Sequence, residues 1–252
     1  MTILQARDLA INFGGIRAVD EITFDVIRGE IFTIIGPNGA GKTTIFNLIS
    51  RIYNTSGGKL VFDGVDITRV PPHKIASCGI ARTFQNVELF EHATLLQNLL
   101  LGQHAHRQSK VWEELLFLPR VRAAEKKIRR RVEEVIDFLD LQRYRDATVQ
   151  NLPYGVRKLI EVARALCAQP KLILLDEPSS GLNVEETEDL SFWIRDIRDD
   201  LGTTVVMIEH DLALVNDVSD RVMAVNYGRL LATGSPAAVQ SHPDVIKAYL
   251  GG

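Results

Sequence analysis

The chain has 252 residues, 46% hydrophobic and 24% charged, with a net charge of -3. That length supports a full core with room for a subdomain, and the balance is that of an ordinary soluble globular protein. The slight negative charge excludes a surface built to neutralise many phosphates, so nucleic acid is not an expected partner. Cys78 and Cys167 stand alone in separate segments, which rules out a paired-cysteine metal or redox site and fits a reducing, cytoplasmic setting. The start, Met1-Thr2-Ile3-Leu4, lacks a basic stretch followed by an apolar one, so no signal peptide is expected. No run approaches the roughly 18 apolar residues of a membrane span, and any membrane role has to come through partners.

Residues 3 to 28 alternate apolar and polar positions, with Ile3, Leu4, Ala6, Leu9, Ile11 and Phe13, then Ile22, Phe24 and Val26, on the apolar side. That period predicts half-solvated antiparallel strands. Ile31-Phe32-Thr33-Ile34-Ile35 is nearly continuous instead, as in a strand buried on both faces of a parallel sheet. It leads into Gly36-Pro37-Asn38-Gly39-Ala40-Gly41-Lys42-Thr43-Thr44 and then the helix-like Ile45-Phe46-Asn47-Leu48-Ile49. This spacing predicts a phosphate-binding loop. Gly36, Gly39 and Gly41 allow close backbone approach, so that the N–H groups of a cradle including Asn38 and Ala40 can turn toward phosphate oxygens. The helix beginning near Lys42 adds its positive dipole end. Lys42 is expected to reach the β- and γ-phosphates, the Thr43 hydroxyl to ligate Mg²⁺, and Thr44 to hold the α-phosphate.

Gly57 to Gly64 reads as one more strand bounded by turn signals. Between Phe90 and Ala168 strand signals disappear, and Val121, Ala124, Ile128, Val132, Val135, Ile136 and Leu139 recur at helical spacing. A helical insertion in an α/β core is the consequence. Its charges, from Arg122 to Asp140, mix both signs and read as a solvated helix face. Leu172 to Leu175 and Thr204 to Ile208 repeat the doubly buried strand pattern, so two sheets of different character are expected.

The run Leu172-Ile173-Leu174-Leu175-Asp176-Glu177-Pro178 places two carboxylates at the carboxyl end of a buried strand, where ligands meet an open α/β sheet. Beside a phosphate loop, Asp176 is expected to hold Mg²⁺ through its water shell and Glu177 to polarise the attacking water. Ile208-Glu209-His210-Asp211 ends another such strand, and His210 is the candidate for contact with the γ-phosphate.

In order and in content these segments resemble the ATP-binding cassette ATPases across nearly the whole chain. The resemblance implies a P-loop NTPase fold with a RecA-like parallel-sheet core, in one domain over 1–252. Residues 1–86 would supply the antiparallel β subdomain and the first part of the core, and 87–160 the helical subdomain. Residues 161–228 would complete the core, and 229–252 form a hairpin and tail. Phe13 matches the aromatic that stacks on adenine, with Val19 a second candidate. Thr83-Phe84-Gln85 matches the segment whose glutamine touches Mg²⁺ and the water. Leu152-Pro153-Tyr154-Gly155-Val156 occupies the place of the signature, with Tyr154 and Gly155 facing nucleotide, and Ser179-Ser180-Gly181-Leu182-Asn183 that of the loop joining two subunits. Against the common L-S-G-G-Q, Pro153 removes a hydroxyl and an N–H, Tyr154 replaces a glycine, and Val156 replaces a glutamine.

Finer likeness is to the ATP-binding subunit of branched-chain amino acid importers. It rests on Phe13-Gly14-Gly15, Ala81-Arg82-Thr83-Phe84-Gln85, Gly102-Gln103-His104 and His242-Pro243-Asp244-Val245-Ile246-Lys247-Ala248-Tyr249-Leu250-Gly251. It implies ATP and Mg²⁺ at a subunit-dimer interface, a second ATPase subunit in a homo- or heterodimer, with the donors missing around Pro153 and Val156 favouring an unequal pair, and integral membrane permease subunits. A periplasmic binding protein would act indirectly, and the chain would sit peripherally on the cytoplasmic face of the inner membrane. The surface from Val87 to Phe90 would meet a short permease helix. Related cassettes import urea, amides or other amino acids or export lipopolysaccharide, and others act in translation or DNA repair. A GTPase is the competing class, but no Asn-Lys-x-Asp guanine reader occurs.

Overall fold

The computed structural model describes residues 1–83, 88–102 and 119–250, apart from the side chains of 119–122 and 250. The chain divides into two units, Met1–Gln85 with Lys171–Gly252, and Asn86–Pro170.

The first unit holds two sheets. β1 (Thr2–Phe13), β2 (Ile16–Ile27), β4 (Gly57–Phe62) and β5 (Val65–Asp66) form the antiparallel one, in the order β2-β1-β4-β5. Ala6, Leu9 and Ile11 are buried, whereas Asp8 and Asn12 face out; the change of parity after Ala6 falls at a register shift between Ala6 and Leu9. Ile3 and Leu4 are both buried because a register shift between Thr2 and Leu4 lets consecutive side chains reach the core. The other sheet, in the order β10-β9-β3-β8-β7-β6, comprises β3 (Ile31–Ile35), β6 (Ile80–Arg82), β7 (Leu172–Asp176), β8 (Thr204–Ile208), β9 (Arg221–Asn226) and β10 (Arg229–Gly234). Its pairings are parallel except for β9 with β10. The hairpin therefore begins at Arg221, ahead of the expected 229. Every residue of β3, β7 and β8 is buried. Each aliphatic so buried contributes about 1.5–3 kcal/mol, against about 1–2 kcal/mol for fixing its backbone, so these strands make a rigid base for the loops at their carboxyl ends. α1 (Lys42–Ile49) and α2 (Pro72–Cys78) complete the first half of this unit.

The second unit carries α3 (Leu95–Gly102), α4 (Pro119–Phe138) and α5 (Tyr154–Cys167). Leu95, Leu99, Val132, Ile136, Val149, Ile160 and Ala163 are buried in it. Asn98, fully buried, closes the turn ahead of α3: its amide donates to the Phe90 and Thr94 carbonyls at 3.1 and 3.0 Å, and its oxygen accepts from Phe90 N–H at 2.9 Å. This unit ends at Pro170 rather than at the expected 160, since α5 runs unbroken to Cys167. Burial pushes the Cys167 thiol up to about 12, so it is packing rather than a nucleophile. After β7 the first unit resumes with α6 (Val184–Asp199), α7 (Leu212–Val218), α8 (Pro236–Gln240) and α9 (Pro243–Leu250).

Candidate functional site

β3 ends at Ile35, and the glycine-rich loop runs from Gly36 to Gly41 before α1 starts at Lys42. No side chain caps α1 and no acidic residue stands in its first turn. The N–H groups there are thus left to an outside acceptor, at the positive end of the helix. Gly36 has a structural reason to be glycine: a Cβ there would stand 2.2 Å from the Val225 carbonyl oxygen. The loop is braced from its outer side by the hairpin of β9 and β10, with Gly228 N–H donating to the Ala40 carbonyl at 2.9 Å. α9 adds Tyr249, whose phenol is pushed up by burial and partly restored by a hydrogen bond from Gly36 N–H. Asn38 and Gly39 stay exposed while Ala40 is buried, so the loop offers its tip and hides its root.

Lys42 lies back along this loop. Its side chain is 6% exposed, and Nζ donates to the Gly36 and Pro37 carbonyls at 2.7 and 3.0 Å. Burial lowers its pKa, while Glu177 and Asp176 pull it back up. That opposition places both carboxylates within electrostatic reach of the ammonium. Thr43 is exposed and Thr44 half-buried on the first turn of α1.

Asp176 closes β7 at 2% exposure, and its Oδ2 accepts from Arg82 Nη2 at 2.8 Å. Arg82, the last residue of β6, spends its other terminal nitrogen on Asn47 Oδ1 at 2.7 Å and Ser50 Oγ at 2.9 Å, both on or next to α1. One guanidinium thus ties the carboxylate of β7 to the helix that follows the loop. Glu177, half-buried, has a left-handed backbone at φ 48°, which a non-glycine residue adopts only under constraint. His210 follows β8 with its side chain 59% exposed. Between them stands Glu209, wholly buried: its carboxylate accepts from Ser179 N–H at 2.9 Å, His210 N–H at 2.9 Å and Asp211 N–H at 3.2 Å. Motif spacing singles out neither Arg82 nor Glu209. The available signal was a charge beside a strand buried on both faces, since such a charge needs partners.

The remaining expected residues separate. Phe13 is 43% exposed and meets Tyr53 edge to face, with centroids 5.1 Å apart, so a ring face remains available for stacking. Val19 is a correction: it is fully buried in the core and has no surface to offer a base. Phe84, Gln85, Val87, Gln103 and His104 lie outside the described residues. Tyr154 and Gly155 belong to the second unit, in the first turn of α5, where Pro153 stands at the cap position and no side-chain cap is present. Tyr154 is 39% exposed, with the Arg157 guanidinium 5.8 Å from its ring centroid.

Residues 19–180 match the family model for ABC transporters, and residues 229–252 match that of the branched-chain amino acid ATP-binding cassette transporter. The chain is similar to the high-affinity branched-chain amino acid transport ATP-binding protein BraF of Pseudomonas aeruginosa, at 39% identity over 249 residues, covering 99% of this chain and 98% of that protein. It is 38% identical, with the same coverage, to the LivG protein of the same description from Escherichia coli K12. Among solved structures, a nucleotide-free ATP-binding cassette from an ABC transporter aligns over 100% of both chains at a TM-score of 0.87 and 29% identity. The ADP conformation of the cassette MJ1267 aligns equally well.

Proposed function

The chain belongs to the ABC transporter family and is an ATP-hydrolysing cassette; on that premise we propose that it powers the uptake of branched-chain amino acids. The observation that carries the substrate class is likeness along the whole chain to two proteins named for that transport, extended by the match of residues 229–252. Urea, amide or lipopolysaccharide transport has no comparable support.

The residues divide the reaction among themselves. The N–H groups of Asn38 to Gly41, the α1 dipole and Lys42 hold the phosphates of ATP, with Lys42 exchanging loop carbonyls for β- and γ-oxygens. Phe13 stacks on the base. Glu177 orients a water and accepts its proton as the water oxygen bonds to the γ-phosphorus; the bond to the β–γ bridging oxygen breaks, leaving ADP and phosphate. His210 contacts the γ-phosphoryl oxygens. Thr43, Asp176 and Gln85 are the residues to hold Mg²⁺. Thr43 and Asp176 fit, since both offer hard oxygen, and among the described residues no cluster of three acidic, His or Cys ligands competes with the phosphates for the ion. When bound, Mg²⁺ neutralises charge on the β- and γ-phosphates.

ATP is sandwiched between this chain and a second cassette subunit, with the first turn of α5 donating to the partner's γ-phosphate. Pro153 and Val156 remove donors from that turn, which supports an unequal pair. Permease subunits complete the assembly at the cytoplasmic face of the membrane, and among the described residues no helix could itself cross one. Their docking segment here includes Glu88, Leu89 and Phe90, the last 60% exposed. Two side chains of α5 hold that segment: Glu161 Oε1 accepts from Glu88 N–H at 2.7 Å, and Arg164 donates to the Glu88 carbonyl at 2.6 Å.

The test is uptake into vesicles carrying the chain with its partner ATPase, permease subunits and binding protein. Labelled leucine, isoleucine and valine should accumulate with ATP, and urea or amides should not compete. Accumulation of urea instead would reassign the substrate. Charge reversal at Glu88 should depress uptake more than ATPase activity; equal retention of both would remove the docking segment from the proposal.

A further inference from the structure

We propose that Glu209 is a positioning residue that fixes the loop carrying Glu177 against the turn carrying His210. The inference deepens the proposed hydrolytic reading, since it takes the roles of Glu177 and His210 from it. Glu209 directly follows β8, and its own N–H donates to the Ile34 carbonyl at 3.3 Å, at the end of the strand that feeds the glycine-rich loop. Its side chain then reaches two other segments. One carboxylate oxygen accepts from Ser179 N–H, two residues beyond Glu177, and the other from the N–H groups of His210 and Asp211.

A fully buried carboxylate is costly unless its lone pairs are filled, and here backbone donors fill both oxygens. The expense has a local object. Glu177 occupies a left-handed backbone at φ 48°, a conformation that persists where its surroundings over-determine it. Two hydrogen bonds flank that residue: Glu177 N–H to the Ile208 carbonyl at 3.0 Å on one side, and Ser179 N–H to Glu209 on the other. The first uses backbone alone and tolerates any side chain. The second exists only because position 209 carries an acceptor long enough to leave its own strand. Ser179 also opens the Ser179-Ser180-Gly181-Leu182-Asn183 segment that leads to α6, so the same carboxylate anchors the start of that loop.

Glu209→Gln separates positioning from bulk. The amide keeps the size, retains one acceptor oxygen, and puts an N–H₂ donor against a backbone N–H. With folding intact by thermal melting and nucleotide affinity within about twofold, kcat should fall between about tenfold and a hundredfold with little change in KM, as expected for a misplaced catalytic group. Glu209→Asp should not rescue turnover, because the shorter chain cannot reach both segments. Unchanged kcat in Glu209→Gln, while Glu177→Gln and His210→Ala abolish turnover, overturns the positioning role. Unchanged turnover in Glu177→Gln and His210→Ala overturns the hydrolytic reading instead. Should Glu209→Gln fail to fold, hydrogen exchange in the unaltered protein decides: the amides of Ser179, His210 and Asp211 should be strongly protected, and rapid exchange at Ser179 would sink the proposal.

Discussion

The helices that follow β7 and β8 begin quite differently from α1 and α5. α6 opens with a closed capping box, in which Asn183 Oδ1 accepts from Glu186 N–H at 2.9 Å and Glu186 Oε2 accepts from Asn183 N–H at 3.0 Å. α7 is capped by Asp211, which accepts from Ala213 and Leu214 N–H. α1 starts from Gly41 and α5 from Pro153, neither with a side-chain cap. A cap of this kind contributes about 1 kcal/mol, so forgoing it twice is a real sacrifice for a fold of marginal stability. The capped helices finish their own hydrogen bonding and serve as scaffold. α1 and α5 leave donors at a positive helix end, and both are assigned to phosphate, whereas α2, which starts from Pro71 without a side-chain cap, spends a proline at its first position instead.

Three substitutions probe that contrast. Lys42→Ala has the largest expected effect: it removes the only side-chain cation on the glycine loop and should lower turnover by more than about a hundredfold, with melting near that of the parent. Retained turnover would place the phosphates elsewhere. Asn183→Ala should open the capping box at a loss of about 1 kcal/mol, lowering the melting temperature by about 2–4 °C, with a far smaller fall in kcat than Lys42→Ala gives. A large fall in kcat without a fall in melting temperature would mean that this start, too, belongs to the reaction. Pro153→Ser has the smallest expected effect. Restoring an N–H and a hydroxyl to the start of α5 should raise turnover of the assembled complex severalfold. A rise in melting temperature alone would reduce α5 to an ordinary helix without its cap.

Legibility in the sequence followed the physical character of each signal. The buried strands were readable because five nearly all apolar residues in a row require burial on both faces of a sheet, and the glycine loop because its backbone demands show directly as residue types. Arg82 and Glu209 were not readable. Their importance lies in partners 32 to 94 residues away for Arg82 and 30 away for Ser179, and a charged residue at a strand end looks the same whether it meets water or backbone. Val19 shows the converse: a family resemblance that names a position does not reveal which face of β2 it occupies, and it occupies the inner one. The hairpin boundary slipped because β9 is apolar through Val222 to Val225 and resembles the parallel strands it joins.

The bracing of the glycine loop has a consequence for how the protein is made. Residues 36–41 leave the ribosome early, yet the atoms that shape their outer wall arrive late: the Val225 carbonyl, Gly228 N–H and the Tyr249 hydroxyl. β3 likewise waits for β8 and β9, its parallel neighbours on either side. A nascent chain halted before residue 221 carries the whole motif and β8, but neither β9 nor the three groups of that wall. Completion of that wall is therefore a late event in synthesis, since it needs backbone groups at 225 and 228 and a side chain at 249, close to two hundred residues beyond the loop they enclose.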